Sequence, residues 1–156
     1  MPRTIDPVFI SAAQAVQTKY GIPASVTLAQ WALESAYGEK NMGCHNYFGM
    51  KFTPKRHKKY VERRTREVVN DKEVFINAKF AAFDTVEDAF DDRARLLANN
   101  SRYAPAMAVK DDPNKFAEQL QACGYATDPV YADLLKKIMR LNNFYQYDLK
   151  QEQSNA

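Results

Sequence analysis

Residues 22–37 form a run that is apolar on nearly every side. Wound as a helix, such a segment has no face to offer water and is normally buried, with other elements packed around it. Within the run Ala29-Gln-Trp-Ala-Leu-Glu-Ser-Ala-Tyr-Gly38 stands Glu34, the one carboxylate between Asp6 and Glu39. An ionised carboxylate among apolar groups is costly unless it is paired or kept protonated. A carboxylic acid that stays protonated near neutral pH is the group that hands a proton to a leaving oxygen in glycoside cleavage. Most helical glutamates face solvent, so the surroundings of Glu34 carry this inference, not its residue type.

The remaining signals arrange other helices and a small β-element around that run. Asp6-Pro7 reads as an N-cap and first helical residue for a helix over 8–20, stopped by Gly21. Pro23 opens the second helix, predicted to run to Tyr37 with Gly38 just past its end. Gln30 lies one turn before Glu34 on the same face, and Gly38 one turn after it is expected to leave room for a ligand. A loop rich in Asn, Gly and aromatics covers 41–54. Val74, Ile76, Ala78, Phe80 and Ala82 alternate with other residues at the period of a strand, 64–69 is its partner, and Asn70-Asp71 is the turn. Thr85 with Asp88 caps a third helix, whose apolar spacing is Val86, Ala89, Phe90, Arg93, Leu96 and Leu97. Asp112-Pro113 and Asp128-Pro129 open two more helices, the first ended by Gly124. Helices, a β-element and helices again make an α+β fold, with one domain over 1–150 and a frayed polar tail over 151–156.

Charge narrows the partner. Segment 51–66 carries eight Lys or Arg against Glu62 alone, while the rest of the chain holds 14 basic and 18 acidic residues. A local basic patch on an acidic body fits an anionic polymer, nucleic acid or cell wall, or is a solvated loop. No helix-turn-helix, zinc-finger or RNA-binding signature supports nucleic acid. Cys44, His45, His57 and Cys123 lack the spacing of a metal site, so neither metal nor cofactor is expected. Cys44 and Cys123 are either free thiols or one bridge. No apolar run approaches the ~18 residues of a membrane span, and the first residues do not read as a signal peptide. The expectation is a chain made in the cytoplasm that acts on the periplasm or cell wall by a non-classical route.

Four motifs resemble one family. The stretch 21–38, Asn46-Tyr-Phe-Gly-Met-Lys51, Lys79-Phe-Ala-Ala-Phe83 with Thr85-Val-Glu-Asp-Ala-Phe90, and Gly124-Tyr-Ala-Thr-Asp-Pro-Val-Tyr-Ala132 stand in register. Together they are similar to the N-acetylglucosaminidase domains of glycoside hydrolase family 73, found in autolysins and in the flagellar rod-associated peptidoglycan hydrolase. The resemblance implies a lysozyme-like fold, a mainly helical lobe plus a small antiparallel β-lobe with a cleft between. It implies cleavage of the β-1,4 bond between N-acetylglucosamine and N-acetylmuramic acid. It makes Glu34 the catalytic acid and Tyr125 the functional tyrosine. Glu67, in Thr65-Arg-Glu67, takes the place of the second carboxylate, with Glu62 as fallback. An edge-strand glutamate paired with Arg64 or Arg66 is the competing reading of Glu67. Tyr37, Asn46, Tyr47, Phe48 and Tyr131 are the expected substrate-binding residues, although Phe48 reads equally as core and Tyr131, near the start of the last helix, reads first as packing.

Peptidoglycan glycan strands are the expected partner of a monomer. A cognate inhibitor protein follows if the chain is an antibacterial effector rather than a phage lysin. A muramidase or lytic transglycosylase of similar fold expects a glycine-leucine-methionine-glutamine segment where this chain has Phe48-Gly-Met-Lys51. A non-catalytic wall-binding module is the remaining alternative, against which the retained Glu34 speaks.

Overall fold

A computed structural model of the chain describes residues 3–150. Among these are six α-helices: α1 (Pro7–Tyr20), α2 (Ala24–Ser35), α3 (Val86–Asn99), α4 (Ala104–Met107), α5 (Pro113–Ala122) and α6 (Tyr131–Leu141). A single antiparallel hairpin, β1 (Tyr60–Val69) and β2 (Lys72–Ala81), stands between α2 and α3. Short 3-10 turns cover Ser101–Tyr103 and Phe144–Tyr147. The predicted tail 151–156 lies outside the described residues.

The apolar run does become the central helix. Ten of the twelve residues of α2 are buried, and α1, α5, α6 and the Phe144–Tyr147 turn pack on it. Trp31 packs tilted against Phe9, ring centroids 4.5 Å apart, and meets Tyr37 edge-on. Pro23 gives α2 no side-chain cap. Asp148, 123 residues away, supplies one instead, accepting hydrogen bonds from the Ser25 amide and hydroxyl, both at 2.7 Å. A carboxylate at a helix N-terminus satisfies free N–H groups and meets the positive end of the dipole.

Helix α2 ends two residues sooner than the sequence suggests. Ala36 and Tyr37 both take left-handed backbone, with φ of 50° and 59°, and the amide of Tyr37 returns to the Ala32 carbonyl. Gly38 therefore no longer follows Glu34 on one helical face. A methyl group at Gly38 would meet Trp31 and Phe9 at 3.2 and 3.3 Å, so this glycine makes room for core aromatics, not for a ligand beside Glu34.

The hairpin turns at Asn70-Asp71, both at positive φ (52° and 63°), the mirror-image turn whose twist suits paired strands. It is longer at its base than predicted because Tyr60 pairs with Ala81. Register places Val61, Thr65 and Glu67 with Val74, Ala78 and Phe80 on one face, the half-buried one. Glu62, of opposite parity, is exposed on the other. The stalk is tied down by Lys51 bridging to Phe80 and by the Phe52 and Ala81 amides. Asp92 on α3 binds it further: Arg56 Nη2 donates to Oδ1 at 2.9 Å and His57 Nε2 lies 3.1 Å from Oδ2. The Thr53 amide donates to His57 Nδ1, which assigns the proton to Nε2 and makes it the donor to Asp92.

Candidate active site

Glu34 sits in the last turn of α2, where the helix emerges from the core. Its Oε1 accepts a hydrogen bond from the Tyr131 hydroxyl at 3.3 Å. Its Oε2 is sealed from solvent with no partner. Gln30, one turn earlier, donates to the same Tyr131 hydroxyl at 2.8 Å and so fixes where that hydroxyl points. Desolvation drives the Glu34 pKa up to about 7. The charge of Arg93, and then the hydroxyls of Tyr131 and Tyr125, oppose that rise without cancelling it. Tyr125 and Tyr131 are themselves pushed up, first by burial and then by Glu34, so both remain hydrogen-bond donors. The result is a carboxyl that is half protonated near neutrality, surrounded by donors.

The aromatic wall beside it comes from distant segments. Tyr131 is the first residue of α6, and Tyr125 lies in the turn after α5; their rings stack at 5.8 Å. Arg102 holds that turn, donating to the carbonyls of Cys123 (2.7 Å) and Gly124 (2.9 Å). Gly124 has a φ of 82°, and any side chain there would strike Arg102 at 2.5 Å. Below Tyr125 lies Arg93 of α3, fully buried, its Cζ 5.4 Å from the Tyr125 ring and 5.2 Å from the Phe48 ring.

Of the residues expected at the site, the structure thus gathers Glu34, Tyr125, Tyr131 and Phe48. The others have different surroundings. Tyr37 carries Arg3 over its ring at 4.0 Å and accepts from Asn142. Asn46 is buried and saturated: it donates to the Met50 and Ala81 carbonyls and accepts from the Met50 amide, which clamps the loop to β2. Tyr47 is buried against Phe9 and Phe90, with its hydroxyl 2.8 Å from His45 Nδ1. Arg93 joins the site without a local sequence signal, since its place on the apolar stripe of α3 does not reveal that its head stays buried.

Glu67 lies on the half-buried face of the hairpin and pairs with Lys51 at 3.1 Å. The expected competitors are engaged elsewhere, Arg66 with Glu73 and Arg64 over the Phe75 ring. Much of the basic segment is spent in this way, since Lys59 binds Asp84, Arg63 caps the Met42 carbonyl and Arg56 binds Asp92. The broad anionic-polymer patch read from composition is therefore thinned by internal partners. Cys44 and Cys123 are free thiols. No group of three His, Cys, Asp or Glu able to hold a metal occurs among the described residues, and no helix there is long and apolar enough to cross a membrane.

This architecture has known counterparts. A family model described as glucosaminidase, mannosyl-glycoprotein endo-beta-N-acetylglucosaminidase, matches residues 10–144. The chain is 35% identical over 143 residues to the exo-glucosaminidase LytG of Bacillus subtilis, covering 87% of this chain and 50% of that protein. It is 32% identical over 140 residues to the peptidoglycan hydrolase FlgJ of Pseudomonas aeruginosa, covering 86% of this chain and 35% of that one. The chain spans half or less of the length of these relatives. Among solved structures, the catalytic domain of the autolysin Auto from Listeria monocytogenes superposes with a TM-score of 0.82 at 31% identity, over 95% of this chain and 90% of that one. In sequence and in its lysozyme-like fold of helical body and β-hairpin, the chain belongs to the glucosaminidase family.

Proposed function

We propose that the chain is a peptidoglycan hydrolase that cleaves the β-1,4 bond between N-acetylglucosamine and N-acetylmuramic acid. The observation that carries the reading is Glu34, a desolvated carboxyl with a pKa raised to about 7 beside the Tyr125–Tyr131 stack. Glu34 gives its proton to the glycosidic oxygen as the carbon–oxygen bond breaks, and positive charge grows on the sugar carbon left behind. Glu67, fixed by Lys51, is the carboxylate assigned to that carbon, where it activates water. Tyr125 orients the N-acetyl group of the same sugar. Glycan strands of this kind lie outside the cytoplasmic membrane, so that is where the chain acts.

Digestion of purified sacculi tests the assignment. Glu34→Gln is expected to lower the rate by roughly 10²–10⁴-fold, the usual worth of a general acid; lysis at the wild-type rate rejects Glu34. Glu67→Gln is expected to fall comparably while Glu62→Gln stays within a few-fold of wild type. A new reducing end on N-acetylglucosamine supports the bond named above, and one on N-acetylmuramic acid replaces it with muramidase cleavage.

A further inference from the structure

Arg93 is the most anomalous side chain in the molecule. It is wholly buried, and its Nε, Nη1 and Nη2 make no hydrogen bond of good geometry, the Tyr125 hydroxyl being the polar group closest to bonding it. A buried guanidinium without a bonded acceptor is among the costliest groups a core can hold. The neighbouring carboxylate does not relieve it, because Asp92 is occupied by Arg56, His57 and Arg95. What Arg93 faces instead are the Phe48 and Tyr125 rings; Tyr125 stacks on Tyr131, which donates to Glu34, and across that stack the guanidinium charge is the strongest influence on the Glu34 carboxyl after desolvation. Glu34 Oε2 is also buried and unpartnered. Two buried polar groups, one a permanent cation and the other a carboxyl that must become an anion, are thus linked through the stacked Tyr125 and Tyr131 rings.

We propose that Arg93 is a positioning residue for proton transfer, a fixed cation against which Glu34 releases its proton to the departing sugar oxygen. The proposal rests on Glu34 being the acid. Before transfer Glu34 is neutral. When its O–H bond and the glycosidic C–O bond have broken, the proton is on the leaving oxygen and Glu34 is a carboxylate. The charge that appears there meets a cation already in place, which needs no reorganisation at the moment of reaction. The aromatic rings hold the guanidinium by cation–π contact without neutralising it, so its field remains available to Glu34. The other groups packed on Glu34 are uncharged: Tyr131 on α6, held by Gln30 of α2, and Tyr125 in the turn after α5, with Tyr103 behind it; Glu67 of β1, paired with Lys51, is the charged group that the proposed reaction places across the cleaved bond.

The pH dependence of kcat/KM on a soluble muropeptide oligosaccharide tests this. In wild type the alkaline limb reports loss of the Glu34 proton. In Arg93→Met the midpoint is expected to rise by roughly one pH unit, as for a carboxyl deprived of a nearby opposite charge, while the plateau rate falls about tenfold or more. Arg93→Lys keeps the charge but not the stack, and is expected to restore the wild-type midpoint even where the rate stays low. A folded Arg93→Met with an unshifted midpoint, or an Arg93→Lys shifted as far as Arg93→Met, overturns the proposal. Arg93→Gln reads the same quantity if the Met variant does not fold. If neither neutral variant folds, the Lys variant decides: a wild-type midpoint supports the proposal and a raised one overturns it. Failure of the underlying reading is separate, since it appears as activity retained in Glu34→Gln.

Discussion

Single side chains in this molecule matter most where they lack partners. Glu34 is desolvated, keeps one hydrogen bond and leaves Oε2 unpartnered; the burial is what raises its pKa from 4.5 to about 7, against the opposing charge of Arg93 and the Tyr131 and Tyr125 hydroxyls. Between those values the folded chain binds a proton that the unfolded chain has already released. Stability therefore falls as pH rises through that window and levels off above about 7. The loss attributable to Glu34 is on the order of 3 kcal/mol. Urea melts of wild type and Glu34→Gln at pH 4.5 and 7.5 are expected to show the drop in wild type only, once the part common to both is subtracted. Asp148, also raised by burial, contributes to that common part. Glu34 was legible in the sequence because a carboxylate in an apolar run is an energetic contradiction. Arg93 was not, since a long cation on an apolar stripe ordinarily extends its head to water, and nothing local shows that its exit is blocked by Phe48 and Tyr125. Tyr131 read as packing because its contact with Glu34 spans 97 residues.

At the level of elements, local chemistry predicted both starts and ends where caps are local: Gly21 stops α1 and Gly124 follows α5, each at positive φ. Asp6, Thr85 and Asp112 cap helices as their residue types suggest, each accepting from an amide two or three residues on. The end of α2 defied the glycine rule, because two non-glycine residues adopt left-handed backbone once Trp31 and Phe9 fill the space beside Gly38. Asp128 accepts from the Val130 amide, yet α6 begins only at Tyr131. The start of α2 depends on tertiary structure outright. Removing Asp148 strands the Ser25 amide and hydroxyl, so Asp148→Ala is expected to destabilise the fold by about 2 kcal/mol. Thermal unfolding measures it, and a change within 0.5 kcal/mol, the usual range for a surface substitution, would reduce the cap to a surface contact.

For the molecule as a whole, the relation of body to hairpin rests on Asp92. It receives the stalk through Arg56 and His57, one residue before Arg93 on the same helix. Asp92→Ala breaks a buried charged cluster and is expected to cost about 3 kcal/mol; denaturant unfolding checks this, and a wild-type midpoint would show that the backbone ties alone hold the stalk. The helix–hairpin–helix order was readable from periodicity, whereas this latch was not, because an arginine and a histidine that stand 36 and 35 residues from their aspartate carry no pattern. Long separations of this kind also dictate when the chain can mature. The Ser25–Asp148 and Glu34–Tyr131 contacts join positions 123 and 97 residues apart. During synthesis at roughly 5–20 residues per second, α2 waits several seconds for both partners to emerge. Until then its first turn is uncapped and its glutamate has no tyrosine beside it, so the nascent chain carries the acid without its setting until Tyr131 and Asp148 have been made.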